Sequence, residues 1–285
     1  VWVDDGSTDG SAALLHSILS EEGADAPLYT TLTHDHNRGS AAARLTGLSA
    51  ASGRYIIFCD ADDYVDNDAY ETMLHTACTT GADMVVCDYI VERGDSRVRH
   101  TGMRDSRSLT SDMLRGKVHA GLWNKLIARH LFDNIGPLWI EGIDMWEDAW
   151  VTTRAAYHAQ KTAYLPRPLY HYVSNPQSYT GRFSDKSISD MLVVTEMLDE
   201  HFAATSCRDM TAALKRRARA LALYYGSEER RRKARALWPD IPYRWLDITD
   251  GLPPHQRAIA FCAAHRSLAP AVKTLELIRR FAGGR

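Results

Sequence analysis

The chain has 285 residues, 45% of them hydrophobic, and a formal net charge of −2, which fits an ordinary globular protein with a sizeable core in one large domain or a domain plus extension. Five cysteines (Cys59, Cys78, Cys87, Cys207 and Cys262), odd in number and without a C-x-x-C pair, argue against a disulfide framework or a thiolate zinc site and suit a reducing compartment. No apolar run approaches the roughly 20 residues a membrane-spanning helix needs, so a helical membrane protein is excluded as well.

The elements follow in chain order. Val1-Trp-Val3 reads as a buried strand that runs straight into an acidic loop, as in the middle of an α/β domain, and a strand and helix are expected upstream of it. Residues 10–20 carry helical apolar spacing (Leu14, Leu15, Ile18, Leu19), with Ser7, Thr8 and Asp9 ahead of them as caps. Residues 28–33 read as a strand, 38–51 as an Ala-rich helix and Tyr55-Ile-Ile-Phe58 as a strand covered on both faces. A helix over 68–79 and a strand over Met84-Val-Val-Cys87 complete the alternation, which predicts an α/β fold with a mostly parallel sheet flanked by helices.

Beyond residue 92 the pattern loosens. Residues 93–107 read as a polar loop and 108–133 as short helices around Leu122-Trp-Asn-Lys-Leu126. A helix is expected over 146–158 and an extended stretch over 162–173, bounded by Pro166 and Pro168. From 186 onward the sequence is helical, broken once at 239–254. The expected division is therefore a sheet-bearing domain over 1–185 and a helical C-terminal extension over 186–285. Charge divides in a similar way: residues 1–207 hold 17 Lys+Arg against 29 Asp+Glu, and residues 208–285 hold 17 against 7. A solvated helical surface accounts for the basic end, and a patch for anionic lipid or a lipid-phosphate acceptor is the sharper reading. No nucleic-acid partner is expected, since no aromatic-interleaved basic motif is present.

Two acidic clusters carry the chemistry. Asp4-Asp5-Gly6-Ser7-Thr8-Asp9 and Asp60-Ala61-Asp62-Asp63 each follow a strand, and in a parallel sheet both would lie at carboxyl ends, where ligands bind. Two acidic loops on one crevice repel unless a cation sits between them. Hard oxygen ligands favour Mg²⁺ or Mn²⁺, which are bound by one or two carboxylates plus substrate phosphates. Taken singly, the first cluster reads equally well as an Asx turn with a helix cap, and the second as a strand-to-helix turn. A calcium EF-hand over Asp60–Glu71 fails, because Val65 stands where that loop needs glycine.

The run Val3-Asp-Asp-Gly-Ser-Thr-Asp-Gly-Ser11 resembles the nucleotide-binding loop of inverting family 2 glycosyltransferases of the GT-A fold. Asn37-Arg-Gly-Ser-Ala-Ala-Ala-Arg44 is similar to that family's next segment, and Tyr55-Ile-Ile-Phe-Cys-Asp-Ala-Asp-Asp63 to its strand and D-x-D metal motif. A looser likeness to bacterial surface-polysaccharide transferases continues through Trp123-Asn-Lys-Leu126, Trp146-Glu-Asp-Ala149 and Leu169-Tyr-His-Tyr172 to Ser178. The resemblance implies a metal-dependent transfer of a sugar from a nucleotide diphosphate to a saccharide or lipid-linked acceptor. It implies a cytoplasmic enzyme, with the inner face of the plasma membrane as the place where the basic end would meet lipid.

The resemblance also implies roles. Asp4 and Asp5 would lie by the base and ribose, Arg44 near the nucleotide, Asp60 on the ribose and Asp62 on the metal. Asp63 would either ligate the metal through water or cap the next helix. Inverting transfer needs one carboxylate to take the acceptor proton, and the family's Glu-Asp pair corresponds to Glu147 and Asp148, with Asp148 as base. By residue chemistry alone these two acids merely complement a helix dipole. His171 and Ser178 fall where the family contacts phosphate, although His171 between two tyrosines reads equally as a structural histidine. Lys125 would face the diphosphate or acceptor, or lie on the surface. The chain departs from the family at Leu45, often Asn there, and at Val173, often Arg, for which Arg182 is the nearest substitute. Two other readings stay open: a non-catalytic sugar-nucleotide or glycan-binding module, and a nucleotidyltransferase, although no Gly-rich triphosphate loop is present.

Overall fold

The computed structural model describes residues 1–21, 29–103, 108–175, 183–242 and 252–265. The first part runs β1 (Trp2–Asp4), α1 (Ser11–Glu21), β2 (Thr31–Thr33), α2 (Ser40–Ala50), β3 (Tyr55–Ile56), β4 (Tyr64–Val65), α3 (Ala69–Thr80) and β5 (Met84–Arg93). Next come β6 (Ser96–His100), α4 (Leu109–Leu114), β7 (Lys125–Ala128), α5 (Arg129–Asn134), α6 (Glu147–His158) and β8 (Thr162–Val173). Four helices follow: α7 (Asp185–Phe202), α8 (Arg208–Tyr225), α9 (Glu228–Ala236) and α10 (Pro254–Ala264).

The sheet is mixed. β1 and β2 pair in parallel, and the larger sheet has the order β3-β7-β5-β8-β4 with β6 hydrogen-bonded to β5. Among the described residues only β1–β2 and β5–β8 are parallel pairs, and the other four are antiparallel. This corrects the expectation of a mostly parallel sheet. β3, β5 and β8 do run in one direction, as the alternation predicts, but β7 is inserted between β3 and β5 in the opposite sense. Its four residues, Lys-Leu-Ile-Ala, lie where short helices are expected, and a run of four carries too little periodicity to distinguish strand from helix. The polar stretch after 92 is likewise a strand: β5 continues to Arg93 and folds back as β6 over a two-residue Gly94-Asp95 turn, with Gly94 at φ 55°.

Both faces of the sheet are covered, and the period of two shows it. Met84 and Val86 on β5 and Ile127 on β7 point into a core shared with α4, α5 and α6. Val85, Cys87 and Leu126, the alternate positions, pack against Ala69, Met73 and Ala77 of α3. β8 accommodates Pro166 and Pro168 through a register shift, in which Cys87 pairs with Leu165 and Asp88 already with Pro168. Asp88 is buried at that irregularity. It accepts hydrogen bonds from Arg99 (Nη2, 2.6 Å), the Gly102 amide (2.8 Å) and the Tyr164 hydroxyl (2.7 Å), so its charge is compensated on every side.

The C-terminal helices pack on the sheet-bearing part through Leu114 of α4, which joins Val194, Leu198, Phe202 and Leu214, with Trp146 and Trp150 alongside. Part of the basic excess here is internal. Arg231 donates to the carbonyls of Leu223 and Tyr224 at the end of α8, Arg219 to those of Leu237 and Ile241, and Arg235 to that of Ala263 at the end of α10. Guanidinium groups thus serve the unpaired carbonyls that helix ends leave behind. Helix α1 differs from expectation: none of its residues is buried, and Leu14 and Ile18 lie at the surface. Among the described residues no helix is long and apolar enough to cross a membrane.

The Asp88 junction generates a stability prediction. A Cβ at Gly102 would lie 1.9 Å from the Cys87 carbonyl oxygen, which is backbone and has no room to yield. Gly102→Ala should therefore cost about 1–3 kcal/mol, measured as a lower urea midpoint at unchanged slope.

Candidate active site

The β1–α1 loop is held by its own carboxylates. Asp4 Oδ1 accepts the Ser7 amide (3.2 Å), and Asp9 accepts both the amide and the hydroxyl of Ser11 at the start of α1. Asp5 reaches further. It accepts the amides of Arg38 (3.0 Å) and Gly39 (2.7 Å), and lies 2.6 Å from His34 Nδ1, whose Nε2 meets Thr46 Oγ1 on α2. Burial opposes ionisation of Asp5, but the His34 contact and the two amides hold its pKa below the usual carboxylate range. The close approach requires Gly6, at φ 75°, where a Cβ would sit 2.7 Å from the His36 carbonyl carbon. Asp5 thus fixes the entry to α2, and with it the direction in which Arg44 projects.

Arg44 is the centre of the site. Its Nη1 donates to Glu147 Oε1 (2.7 Å) and Asp148 Oδ1 (2.8 Å), and its Nη2 donates to Asp60 Oδ1 (3.0 Å). Residues separated by about a hundred positions in sequence therefore converge on one guanidinium. The side chains of Arg44, Glu147 and Asp148 are only 14%, 12% and 18% exposed, so their interaction is weakly screened. Burial disfavours the charge on Arg44, but Asp148, Asp60 and Glu147 outweigh it and raise the pKa. One positive charge still faces three carboxyl groups. Burial, then the neighbouring Asp148, push Glu147 up to about 7 against the pull of Arg44, and burial raises Asp148 likewise. The two acids sit in the first turn of α6, entered through Trp146 at φ 65°. That left-handed backbone is costly for a bulky residue and is typical of functional positions.

The 60–63 loop is tied to β8. Tyr170 donates its hydroxyl to Asp63 Oδ2 (2.6 Å) and accepts the Asp60 amide (3.2 Å), while the Val173 amide donates to Asp63 Oδ1 (2.8 Å). Both oxygens of Asp63 are therefore engaged across the sheet, and the cap of α3 is Asp68 instead. Asp62 is exposed and has no hydrogen bond or ion pair among the described residues. No group of three His, Cys, Asp or Glu side chains suited to a metal exists among the described residues. A single free carboxylate of this kind fits an Mg²⁺ or Mn²⁺ ion that completes its shell with phosphate oxygens and water.

Two expected residues are held by the protein itself. Lys125 is fully buried on β7, within electrostatic reach of Asp148, and its Nζ donates to the carbonyls of His119 (2.9 Å) and Gly121 (2.7 Å) and to Asn124 Oδ1 (2.6 Å). Its three donors are saturated, and burial lowers its pKa to about 7. His171 is the satisfied structural histidine. Its Nδ1 and Nε2 lie 3.1 Å from Glu92 and 3.1 Å from Asp66, and its ring stacks on Tyr64. Ser178 and Arg182 lie outside the described residues. Trp123 is buried and stacks on Tyr170. Sequence reasoning missed Tyr170 and His34. Tyr170 stood in a noted motif, whereas His34 had no signal beyond following a short strand.

With this geometry in hand, comparison with known proteins is informative. Residues 1–136 match the family model described as glycosyl transferase family 2. EpsH of Bacillus subtilis, a glycosyltransferase by name, is 31% identical over 206 residues, 69% of this chain and 58% of its own length. GlyA of Streptococcus pneumoniae, also a glycosyltransferase by name, is 27% identical over 206 residues, 65% of this chain and 28% of its own length. The chain thus spans little more than half of EpsH. A crystal structure of Staphylococcus aureus TarS residues 1–349 with UDP-GlcNAc superposes with TM-score 0.58 at 14% identity, covering 98% of this chain and 82% of that one. It shares the fold.

The carboxyl pair makes stability depend on pH. Glu147 holds its proton to about pH 7 in the folded state, against 4.5 for a free glutamate, so the native chain binds more protons than the unfolded one across that window. Its contribution is fully present below pH 4.5 and is lost as pH rises through about 7. Glu147→Gln should remove this decline, of about 3 kcal/mol at most, in denaturant titrations between pH 5 and 8.

Proposed function

Because residues 1–136 are a glycosyl transferase family 2 domain, we propose that the protein transfers a sugar from a nucleotide diphosphate sugar to an acceptor hydroxyl, with inversion, in cell-surface glycan synthesis. The observation that carries this reading is the convergence of Asp60, Glu147 and Asp148 on Arg44. It joins the loop that would hold the donor to the pair that would activate the acceptor.

Asp148 takes the proton of the acceptor hydroxyl as that oxygen attacks the anomeric carbon. The carbon–oxygen bond to the diphosphate breaks, and its electron pair leaves on the phosphate oxygen. A raised pKa makes Asp148 a stronger base than an ordinary carboxylate, and Glu147, still partly protonated near neutrality, limits the repulsion beside it. Arg44 keeps the base within reach of the donor loop. Asp62 would hold an Mg²⁺ or Mn²⁺ ion, which would supply positive charge for the leaving diphosphate. Asp4 and Asp60 border the nucleotide, with Asp5 shaping that border from behind. The acceptor is a saccharide or a lipid-linked saccharide. The enzyme works in the cytoplasm at the inner face of the membrane, where the basic residues of 208–285 that remain exposed, such as Arg232 and Lys233, meet anionic lipid.

Two measurements test this. In calorimetry, UDP-GlcNAc and GDP-sugars should bind only with Mn²⁺ or Mg²⁺, and Asp62→Ala should abolish that binding. Asp148→Asn should leave donor affinity within a few-fold and lower turnover about a thousandfold, the middle of the roughly 10²–10⁴-fold range of general-base catalysis. Turnover persisting in Asp148→Asn would overturn the base assignment. In the wild type, turnover should rise through an acid limb, and Glu147→Gln should move that limb to lower pH, because a neighbouring negative charge is gone.

A further inference from the structure

Lys125 opens β7 and commits its ammonium group to one short turn. Its Nζ donates to the carbonyls of His119 (2.9 Å) and Gly121 (2.7 Å) and to Asn124 Oδ1 (2.6 Å). Three acceptors match the three donors of an ammonium, whereas a neutral amine would leave one of them unserved. The turn is tied without the lysine as well. The Lys125 amide donates to the Leu122 carbonyl (3.1 Å), the Gly121 amide to His119 Nδ1 (2.9 Å), and Asn124 Nδ2 to the Cys87 carbonyl (2.9 Å). Burial disfavours the charge on Lys125, and an apolar side chain would fill the same space without that desolvation cost.

One of the three bonds reaches beyond the turn. The Gly121 carbonyl and the Leu122 N–H belong to a single trans peptide unit, so they point in opposite directions from one plane. Lys125 Nζ stands at the carbonyl end. At the other end the Leu122 N–H is turned to the carboxylate of Asp148 and favours its charged form. Packing holds the same arrangement: the Leu122 side chain is buried in one cluster with Val151 and Ala155 of α6, the helix that carries Asp148 in its first turn. A Cβ at Gly121 would come within 2.7 Å of His119 Nδ1 and of Trp123 Nε1, so this peptide lies where a side chain has little room. A cation bonded to the carbonyl of a peptide polarises its N–H, and hydrogen bonds in series strengthen one another.

Asp148 is thus addressed from several elements. Arg44 of α2 approaches with Nη1 2.8 Å from Oδ1, Asp60 and Glu147 add negative charge, and the Leu122 peptide backed by Lys125 comes from the segment that leads into β7. Around Lys125 itself, desolvation and the lysine's own charge hold His119 neutral, burial pushes the Cys87 thiol up to about 12, and Asp148 is the anion that favours its charge. A base has to be ionised before it can take a proton, and burial works against that at Asp148. We propose that Lys125 is a positioning residue for Asp148: it grips the Gly121–Leu122 peptide by its carbonyl, so that the N–H end orients the Asp148 carboxylate and stabilises its charge. Lys125 acts through that peptide and touches neither donor nor acceptor. The use made of Asp148 rests on the transferase reading; the coupling between the two residues does not.

The test follows the Asp148 carboxyl itself, by carbon NMR of the full chain labelled at the aspartate carboxyl carbons, with the Asp148 signal identified by its loss in Asp148→Asn. Glu147→Gln serves as the background, so that one carboxyl of the pair titrates alone. Lys125→Met keeps the stem and removes the donors and the charge. It should raise the Asp148 midpoint by at least about half a pH unit and leave the affinity for UDP with Mn²⁺ unchanged. Lys125→Gln, uncharged but still an N–H donor, should fall between the two. An Asp148 midpoint unmoved in Lys125→Met would overturn the proposal and leave the lysine as a tie of the turn alone. Loss of UDP affinity would assign it to the donor diphosphate and overturn the proposal equally. Because Lys125→Met strips buried carbonyls of their donor and lowers stability, a measurement without any change at 125 stands beside it. In chain labelled with nitrogen-15 leucine, the Leu122 amide proton should shift with the Asp148 midpoint, and an amide indifferent to that titration would overturn the coupling. Neither readout needs turnover, so absence of sugar transfer in a chain that shows the coupling would count against the transferase reading alone.

Discussion

The guanidinium of Arg44 is shared by three carboxylates that belong to two distant stretches of chain, and the site exists as a unit through that sharing. Asp60 sits on the loop after β3, and Glu147 and Asp148 open α6. Without a cation between them these groups would repel across a partly dry space, and the loop and the helix would separate. The arrangement is not neutral, however. The residual negative charge appears as raised pKa values on the pair. A carboxylate that holds its proton more tightly also takes one up more readily.

Several neighbouring features serve to hold Arg44 and its partners in place. Asp5 clasps the amides of Arg38 and Gly39 at the entry to α2, and His34 joins Asp5 to Thr46 on the same helix. Tyr170 and the Val173 amide fasten Asp63 to β8, which steadies Asp60 from the opposite side. Of the acids in the second cluster, Asp60 and Asp63 are committed to the protein and Asp62 is left for a ligand. A run of adjacent aspartates thus divides into members held by the protein and one with no hydrogen bond or ion pair among the described residues.

Charge in the C-terminal helices follows a related logic. Several of the arginines that make 208–285 basic, namely Arg219, Arg231, Arg235 and Arg257, are turned inward to carbonyls, where they cap helix ends and join α8, α9 and α10. Net charge by itself therefore overstates how basic the surface is. Arg217 lies instead over the ring of Trp146, with Cζ 5.2 Å from its centre.

Much of the architecture was legible in the residues. Helices α2, α3 and α6 and strands β2, β5 and β8 fall where apolar spacing, caps and prolines place them, because each such signal arises from contacts within a few residues. The two acidic loops and the Glu-Asp pair were legible for the same reason, as short motifs with a recognisable chemistry. What the residues could not convey was pairing. That β7 enters the sheet antiparallel between β3 and β5, that Lys125 is buried under its own carbonyl acceptors, and that His171 is held between Glu92 and Asp66 all depend on which distant segments meet. Local sequence determined which groups could ionise, coordinate or cap. Only the tertiary structure decided which of them were neutralised by the fold and which remained available, because that is set by long-range proximity and by the loss of water around each charge.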